Sequence, residues 1–311
     1  MKNLWPWVMA VRAVWANFGL GMEPLNNCLL VTGANGQLGK RLVEEAHRRG
    51  LRVTGLDREG LDVTSEEAIA EGLDDLRPSV VINAAAYTAV DLAESEPQQA
   101  ERLNAIAPAL LAKHCAARQI RLIHVSTDYV FGDVPLRPLL PSDPPDPQGV
   151  YGMTKWKGEQ AVLTSEVKGC VVRVSWLYDV QGTNFLNTML RLAHERGQLN
   201  VVNDQHGIPT AAPALASALV DMAERGETMP LGLWHFAHQG ATTWHGFAQE
   251  IMALAGLNVP VNPVPTSAFP TAAKRPFWSV LDGEPLREFM GWEELSWQEA
   301  LRRCWSLKSD A

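Results

Sequence analysis

From residue 27 onward, apolar and polar positions alternate between two rhythms. Cys28-Leu-Leu-Val-Thr32 is an unbroken apolar run ending at glycines, the pattern of a strand covered on both faces of a parallel sheet. Gln37 to Arg49 carries apolar residues at helical spacing and stops at Gly50, a good residue just past a helix end. Arg52–Asp57 reads as a second strand. Ser65 followed by Glu66 and Glu67 opens a second helix, with an N-cap and acids where the helix dipole favours them. Val80–Asn83 is a third strand, residues 97–117 a third helix and Arg121–Ser126 a fourth strand. Residues 152–164 then read as a helix, and Cys170–Val174 as a fifth strand. Strands alternating with helices predict an α/β fold, a doubly wound parallel sheet with right-handed crossovers.

The regularity weakens after residue 176. Asn184–Arg196, Ala214–Arg225 and Trp292–Leu307 have helical character, and Val259–Pro276 holds five prolines. The expected organisation is a Rossmann-type nucleotide-binding domain over 27–176, then a smaller C-terminal substrate-binding lobe over 177–311, partly interleaved with the sheet. Six prolines among the 17 residues Asp133–Gly149 predict a stiff surface loop. Trp292, Trp297 and Trp305 fall near helical spacing and read as core. Residues 1–26 stand outside the pattern. Trp5-Pro6-Trp7 and Arg12 break the apolar stretch of roughly 7–15 residues that a signal peptide needs. A poorly ordered extension, with Met22 as an alternative start, is the expectation there; a membrane-surface segment is the other reading.

Charge narrows the function. With 35 acidic against 27 basic residues, a net −8, the chain lacks the clustered Lys and Arg that a nucleic acid would require. Its charge-poor stretches are interrupted by Pro, Gly, Gln and His, so no membrane span is expected. Cys28, Cys115, Cys170 and Cys304 are too scattered for a metal knuckle or a disulfide framework, and read as buried thiols of a cytoplasmic protein. His235 and His238 lack a third ligand at metal spacing, so no metal site is expected.

Three motifs carry chemistry. Gly33-Ala-Asn-Gly36-Gln37-Leu38-Gly39 joins the first strand to the first helix. There Gly33 permits a tight turn, Gly36 admits a pyrophosphate to the backbone, and Gly39 allows close helix–strand packing. Asp57 and Arg58 end the second strand, where an acid would hold a ribose 2′-hydroxyl and an arginine a 2′-phosphate; NADH and NADPH both stay open. Asp62-Val63 follows at the place where adenine would lie. Ser126-Thr127-Asp128-Tyr129 closes the fourth strand, and Tyr151 with Lys155 share one face of the next helix. An unperturbed tyrosine titrates near about 10, so a nearby cation suits it to proton transfer.

With these segments in order, the chain resembles the extended short-chain dehydrogenase/reductases and, within them, the dTDP-4-dehydrorhamnose reductase family. The carriers are VTGANGQLG (31–39), VINAAAYTAVDLAESEP (81–97), STDYVFG (126–132), YGMTKWKGE (151–159), RVSWLY (173–178), NFLNTMLRLA (184–193), VVNDQHGIPTA (201–211) and TTWHGFA (242–248). The resemblance implies hydride transfer from NADPH or NADH to the 4-keto group of dTDP-4-dehydro-L-rhamnose. It implies Tyr151 as proton donor, Lys155 lowering the Tyr151 pKa and holding the nicotinamide ribose, Thr127 on the carbonyl oxygen, and Asp128 and Trp176 on the sugar. Gly36, Gln37, Leu38, Asp62, Val63, Ala85, Ala86 and Tyr87 match its cofactor positions, and a magnesium ion and a homodimer enter only by this resemblance. Two departures stand out. Trp278 occupies the place of a usual Asn in Arg275-Pro-Phe-Trp-Ser-Val-Leu281, and the loop between Phe131 and Tyr151 is short and lacks the acids usual after its aromatic residue. The alternatives are a non-catalytic relative of the methionine adenosyltransferase regulatory-subunit type, a reductase of another keto-sugar nucleotide, and an epimerase or dehydratase that retains and recycles NAD. Stoichiometric oxidation of the cofactor separates a reductase from the first and the last.

Overall fold

The computed structural model describes residues 28–132 and 136–308; the extension over 1–26 lies outside the described residues. Its centre is a six-stranded parallel sheet of β1 (Cys28–Thr32), β2 (Arg52–Leu56), β3 (Val80–Asn83), β4 (Arg121–Thr127), β5 (Gly169–Val174) and β6 (Gly232–His235). The spatial order is β6-β5-β4-β3-β1-β2. Leu30 of β1 lies between Thr54 of β2 and Val81 of β3. The chain runs outward from β1 to β2 and then returns to β3 on the other side of β1. That reversal opens a crevice at the carboxyl ends of β1 and β3, the usual ligand position in such sheets.

Alternation along each strand explains the two covered faces. Leu29 and Val31 point to one face, with Ile82 and Val172, beneath α1 (Gln37–Arg48) and residues further along the chain. Leu30, Val81, Leu122 and Val171 point to the other. There α2 (Glu66–Leu76), α3 (Ala107–Ala117) and α4 (Val150–Leu163) pack with Ile69, Leu73, Leu111 and Val162. Each such aliphatic side chain contributes on the order of 1.5–3 kcal/mol on burial. The helix expected over 97–117 is continuous but not uniform. Pro97–Glu101 leads into a π-helical turn, Arg102–Ile106, before α3 begins.

The second half adds α5 (Phe185–Arg196), α6 (Ala212–Glu224), α7 (Trp244–Leu254), α8 (Glu284–Met290) and α9 (Trp297–Ser306). Leu186, Met189, Phe247, Ile251, Trp297 and Leu301 build a separate core there. This half also supplies β6 to the sheet edge and lays α6 against α1. Charged groups reinforce that seam. Arg41 donates to both oxygens of Asp179 at 2.6 and 2.7 Å, and Arg49 reaches Asp221, Glu224 at 2.8 Å and the Ser217 hydroxyl at 2.7 Å.

One sequence expectation needs correcting. The last helix begins at Trp297, not Trp292: left-handed Gly291 ends α8, and the Ser296 hydroxyl accepts the Glu299 N–H to start α9. The three tryptophans accordingly join different cores, Trp292 under the sheet and Trp297 and Trp305 in the second half. The proline-rich tract contains a strand, Val261–Val264, paired with Leu199–Val202. Its one proline, Pro263, is tolerated because the strand is at the edge of a two-stranded ribbon. All four cysteines are buried and free.

Candidate active site

The carboxyl edge of the sheet gathers every motif singled out in the sequence. Beyond β1, Gly33 adopts φ +68°, and a Cβ there would stand 2.7 Å from the Ala85 nitrogen, so the turn after β1 abuts the turn after β3. Gly39 is equally obligatory: its Cβ would meet the Gly33 carbonyl oxygen at 2.2 Å. Gly36 is the N-cap of α1 and brings no side chain to its first-turn amides, which leaves the positive end of the helix for an anion. Leu38 is buried in the core, while the Gln37 amide oxygen accepts from Asn184, tying this turn to the second half.

Asp57 closes β2. Its carboxylate accepts the Glu59 and Gly60 N–H groups at 3.0 and 3.1 Å and the Asn35 amide, so it is oriented by its own loop and by the glycine turn. Arg58 is exposed beside it. Asp62 accepts the N–H and hydroxyl of Thr64, and those bonds hold its carboxyl below the usual range; Val63 is buried. After β3, the Asn83 side chain accepts from Thr32 at 2.7 Å and from the Ala85 N–H at 3.2 Å, fixing the Ala85–Ala86–Tyr87 turn. The Tyr87 hydroxyl donates to Glu96 at 2.7 Å.

Asn104 is the residue that sequence reasoning missed. It is fully buried in the π-helical turn. Its side chain accepts the Tyr87 N–H at 2.9 Å and donates to the Tyr87 carbonyl at 3.0 Å and the Thr154 hydroxyl at 3.2 Å. The turn pushes its carbonyl so close to α4 that only glycine fits opposite, a Cβ on Gly158 standing 2.1 Å away. π-Turns concentrate at functional sites, and a fully polar Asn within an apolar helical run is the signal that was available.

β4 and α4 bring together the candidate hydroxyls. Thr127 is buried; its hydroxyl donates to Asp128 at 3.0 Å and accepts the Tyr129 N–H at 3.2 Å, starting a short 3₁₀ turn. α4 brings Tyr151 in its first turn, edge-on to the Tyr129 ring at 5.4 Å. Burial pushes the Tyr151 phenol up to about 12, the neighbouring Thr127 hydroxyl pulling it down and the Asp128 carboxylate pushing it up. One turn on, the Lys155 ammonium donates to the Val125 carbonyl at 2.7 Å, and burial lowers it to about 8 against the raising charge of Glu159. The phenol thus stands above its ordinary value, with burial and not Lys155 the dominant influence. Asp128 is pushed up to about 6 by burial, against the Ser279 and Thr127 hydroxyls.

Trp176 follows β5 with φ +49°, unusual for so bulky a residue. Its indole stacks on Trp244 at 3.6 Å and leaves no room for a Cβ on Gly207, so it belongs to the second-half wall of the cleft. Trp278 does not open that wall. Its indole N–H donates to the Arg137 carbonyl at 2.7 Å, tying the strap 273–281 to the proline-rich loop, where Leu139 is fully buried and pairs with Leu281.

The residues fit a dinucleotide. A glycine cradle lies at a helix N-terminus, an oriented acid ends β2, and the buried Ser126 hydroxyl has no hydrogen-bond partner among the described residues. They do not fit a metal in the same way: among the described residues no three His, Cys, Asp or Glu side chains are placed to hold an ion. His235 and His238 are buried, the first bonded to the Leu139 carbonyl and packed edge-on against Phe131 at 5.8 Å.

A parallel nucleotide-binding sheet, a glycine turn on its first strand and a Thr–Tyr–Lys set at the ends of β4 and α4 define a short-chain dehydrogenase/reductase. Residues 27–308 match the model of the RmlD substrate binding domain, and the chain belongs to that family. It is 40% identical over 284 residues to dTDP-4-dehydrorhamnose reductase of Aggregatibacter actinomycetemcomitans, covering 88% of this chain and 97% of that protein. The Streptomyces griseus reductase of the same name is 42% identical over 274 residues, covering 84% and 90%. A dTDP-4-dehydrorhamnose reductase crystal structure from Bacillus anthracis, in complex with NADP, superposes with a TM-score of 0.85 at 35% identity, covering 90% of this chain and 99% of that one.

Proposed function

We propose that this chain is an NADPH- or NADH-dependent dTDP-4-dehydrorhamnose reductase, an oxidoreductase that reduces the 4-keto group of dTDP-4-dehydro-L-rhamnose to give dTDP-L-rhamnose. The observation that carries the reading is the Tyr151 phenol beside the Thr127 hydroxyl, at the carboxyl edge of a sheet whose first turn is built for a dinucleotide. The nicotinamide, when bound, supplies the hydride to the carbonyl carbon. Gly33, Gly36, Gln37, Leu38 and Gly39 would cradle its pyrophosphate, Asp57 with Arg58 the adenosine ribose, and Asp62, Val63, Ala85, Ala86 and Tyr87 the remainder. With substrate bound, the Thr127 hydroxyl turns its proton from Asp128 to the carbonyl oxygen, where negative charge develops. Tyr151 delivers a proton to that oxygen as it becomes an alkoxide; a phenol held near 12 is fully protonated at neutral pH, as a general acid must be. Lys155 keeps an ammonium beside the nicotinamide ribose, while Asp128 and Trp176 hold the sugar.

Among the described residues no helix is long and apolar enough to cross a membrane. The four free, buried thiols support a cytoplasmic setting. A homodimer is part of the same proposal and is read by sedimentation. The decisive test follows absorbance at 340 nm with NADPH or NADH and dTDP-4-dehydro-L-rhamnose. One cofactor oxidised per sugar reduced is the expected result; no oxidation with cofactor bound would overturn the assignment.

A further inference from the structure

The segment Ala89–Pro97 follows the Ala85–Tyr87 turn, yet no step above uses its acids. Asp91 and Glu94 leave a single helical turn, Val90–Ala93 and the residue after it, in two directions. Glu94 accepts the Val150 N–H at 2.8 Å. Val150 begins α4 and immediately precedes Tyr151, and Gly149, the N-cap, has no side chain to serve that amide. Asp91 accepts the Ala273 N–H at 3.0 Å through one oxygen and the Arg275 guanidinium at 2.5 Å through the other. Arg275 lies 5.9 Å above the Tyr129 ring, which meets the Tyr151 ring edge-on at 5.4 Å.

We infer that Asp91, Glu94 and Arg275 are positioning residues for Tyr151. One helical turn holds the amide just before the phenol and, through a strap from the second half of the chain, the aromatic ring against which the phenol rests. Two independent ties thus converge on one side chain, from behind through the backbone and from the flank through Tyr129. The Asp91 carboxylate is nearly half exposed at 46%, where an ion pair adds little to stability. Its effect is therefore expected in geometry more than in folding, and a misplacement of about 1 Å suffices to slow a reaction markedly. The inference rests on Tyr151 as proton donor.

The test compares Asp91→Ala, Arg275→Met, their double variant, Glu94→Leu, Glu94→Gln and Tyr151→Phe. For each, kcat and KM with dTDP-4-dehydro-L-rhamnose, NADPH Kd by fluorescence and Tm are measured. Asp91→Ala and Arg275→Met are each expected to lower kcat about tenfold with NADPH Kd and Tm nearly unchanged, the double variant losing no more than either. Glu94→Gln, which keeps a carbonyl acceptor, should stay close to the parent while Glu94→Leu follows the loss. Parent-like kcat in the Asp91 and Arg275 variants, beside an inactive Tyr151→Phe, would overturn the positioning role alone. So would multiplied losses in the double variant, or a loss matched by weakened NADPH binding and a lower Tm. Full turnover in Tyr151→Phe would instead overturn the proton-donor reading on which the role depends.

Discussion

Gly152→Ala sets two effects of opposite sign against each other. Gly152 lies in the first turn of α4, next to Tyr151. Helix propensity alone favours alanine there by about 1 kcal/mol. The structure opposes it: an added Cβ would stand 2.1 Å from the Tyr129 carbonyl oxygen and 3.2 Å from the Pro147 side chain. Neither neighbour is a flexible tip, so α4 and the 3₁₀ turn must part by about 1 Å, and such overpacking costs typically 1–3 kcal/mol or more. With both neighbours backbone or ring atoms the clash wins, leaving a net loss of up to about 2 kcal/mol and a Tm lower by up to roughly 8 °C for a chain of this size. Activity should suffer more than stability, because the same separation moves the Tyr151 phenol from the Thr127 hydroxyl, and about 1 Å of misplacement can cost around 10²-fold. Differential scanning fluorimetry and the 340 nm assay read both. A raised Tm with full turnover would mean that propensity governs and that the contact with Tyr129 is not as tight as described.

Other substitutions follow from the same site. Tyr151→Phe should keep NADPH binding and lose at least about tenfold in kcat, the scale of a missing general acid; parent-like turnover would remove it from proton transfer. Lys155 has its pKa lowered to about 8, so its ammonium is present below that pH and lost above it. kcat/KM, which reports the free enzyme, should fall as pH rises through about 8, and a profile flat to about pH 10 would dismiss the ammonium's role. The buried Arg173–Glu159 pair, bonded at 2.6 and 2.8 Å, lies between α4 and β5. Glu159→Ala strands a buried guanidinium at a cost of about 3–5 kcal/mol, lowering Tm by roughly 6–20 °C; a shift under about 2 °C would count against it.

The sheet was legible because a strand covered on both faces leaves an apolar run, as in β1 and β3, and because β2, a half-exposed edge strand, still follows α1 at the expected place in the alternation. β6 was missed because Gly232-Leu-Trp-His235 is short and only partly buried at a sheet edge, without the Val and Ile that mark the central strands. The tight glycine turn was legible for a steric reason, since glycine is the residue that fits where the backbone of Ala85 and the Gly33 carbonyl close in. Asn104 was only faintly legible: a polar residue in an apolar helical run marks it, but its role shows only through its partners, Tyr87 and Thr154. The start of α9 was misjudged because Trp292 falls near helical spacing from Trp297, while the residues between them are not helical and Ser296 caps the helix anew, a break that the spacing does not reveal. The environment of Tyr151 could not be read from the Tyr-x-x-x-Lys spacing either. Proximity in sequence says nothing of burial, which dominates this phenol.

Helix α1 begins at the glycine turn proposed to hold the pyrophosphate, and its flank and far end are fastened by Arg41 to Asp179 and by Arg49 to Asp221, Glu224 and Ser217. The element proposed to meet the cofactor is therefore also a strut running into the later half of the chain. A fragment ending at Trp176 would lose the cover of α6 and the pairing of β6 with β5, exposing an apolar face and an open strand edge to neighbouring molecules. Heat should accordingly melt the whole chain in one transition. Saturating it with NADPH should slow amide exchange in α6 and in the loop around Asp179 as well as in the glycine turn, so that a ligand held at one edge of the sheet steadies helices on the side of the molecule it never touches.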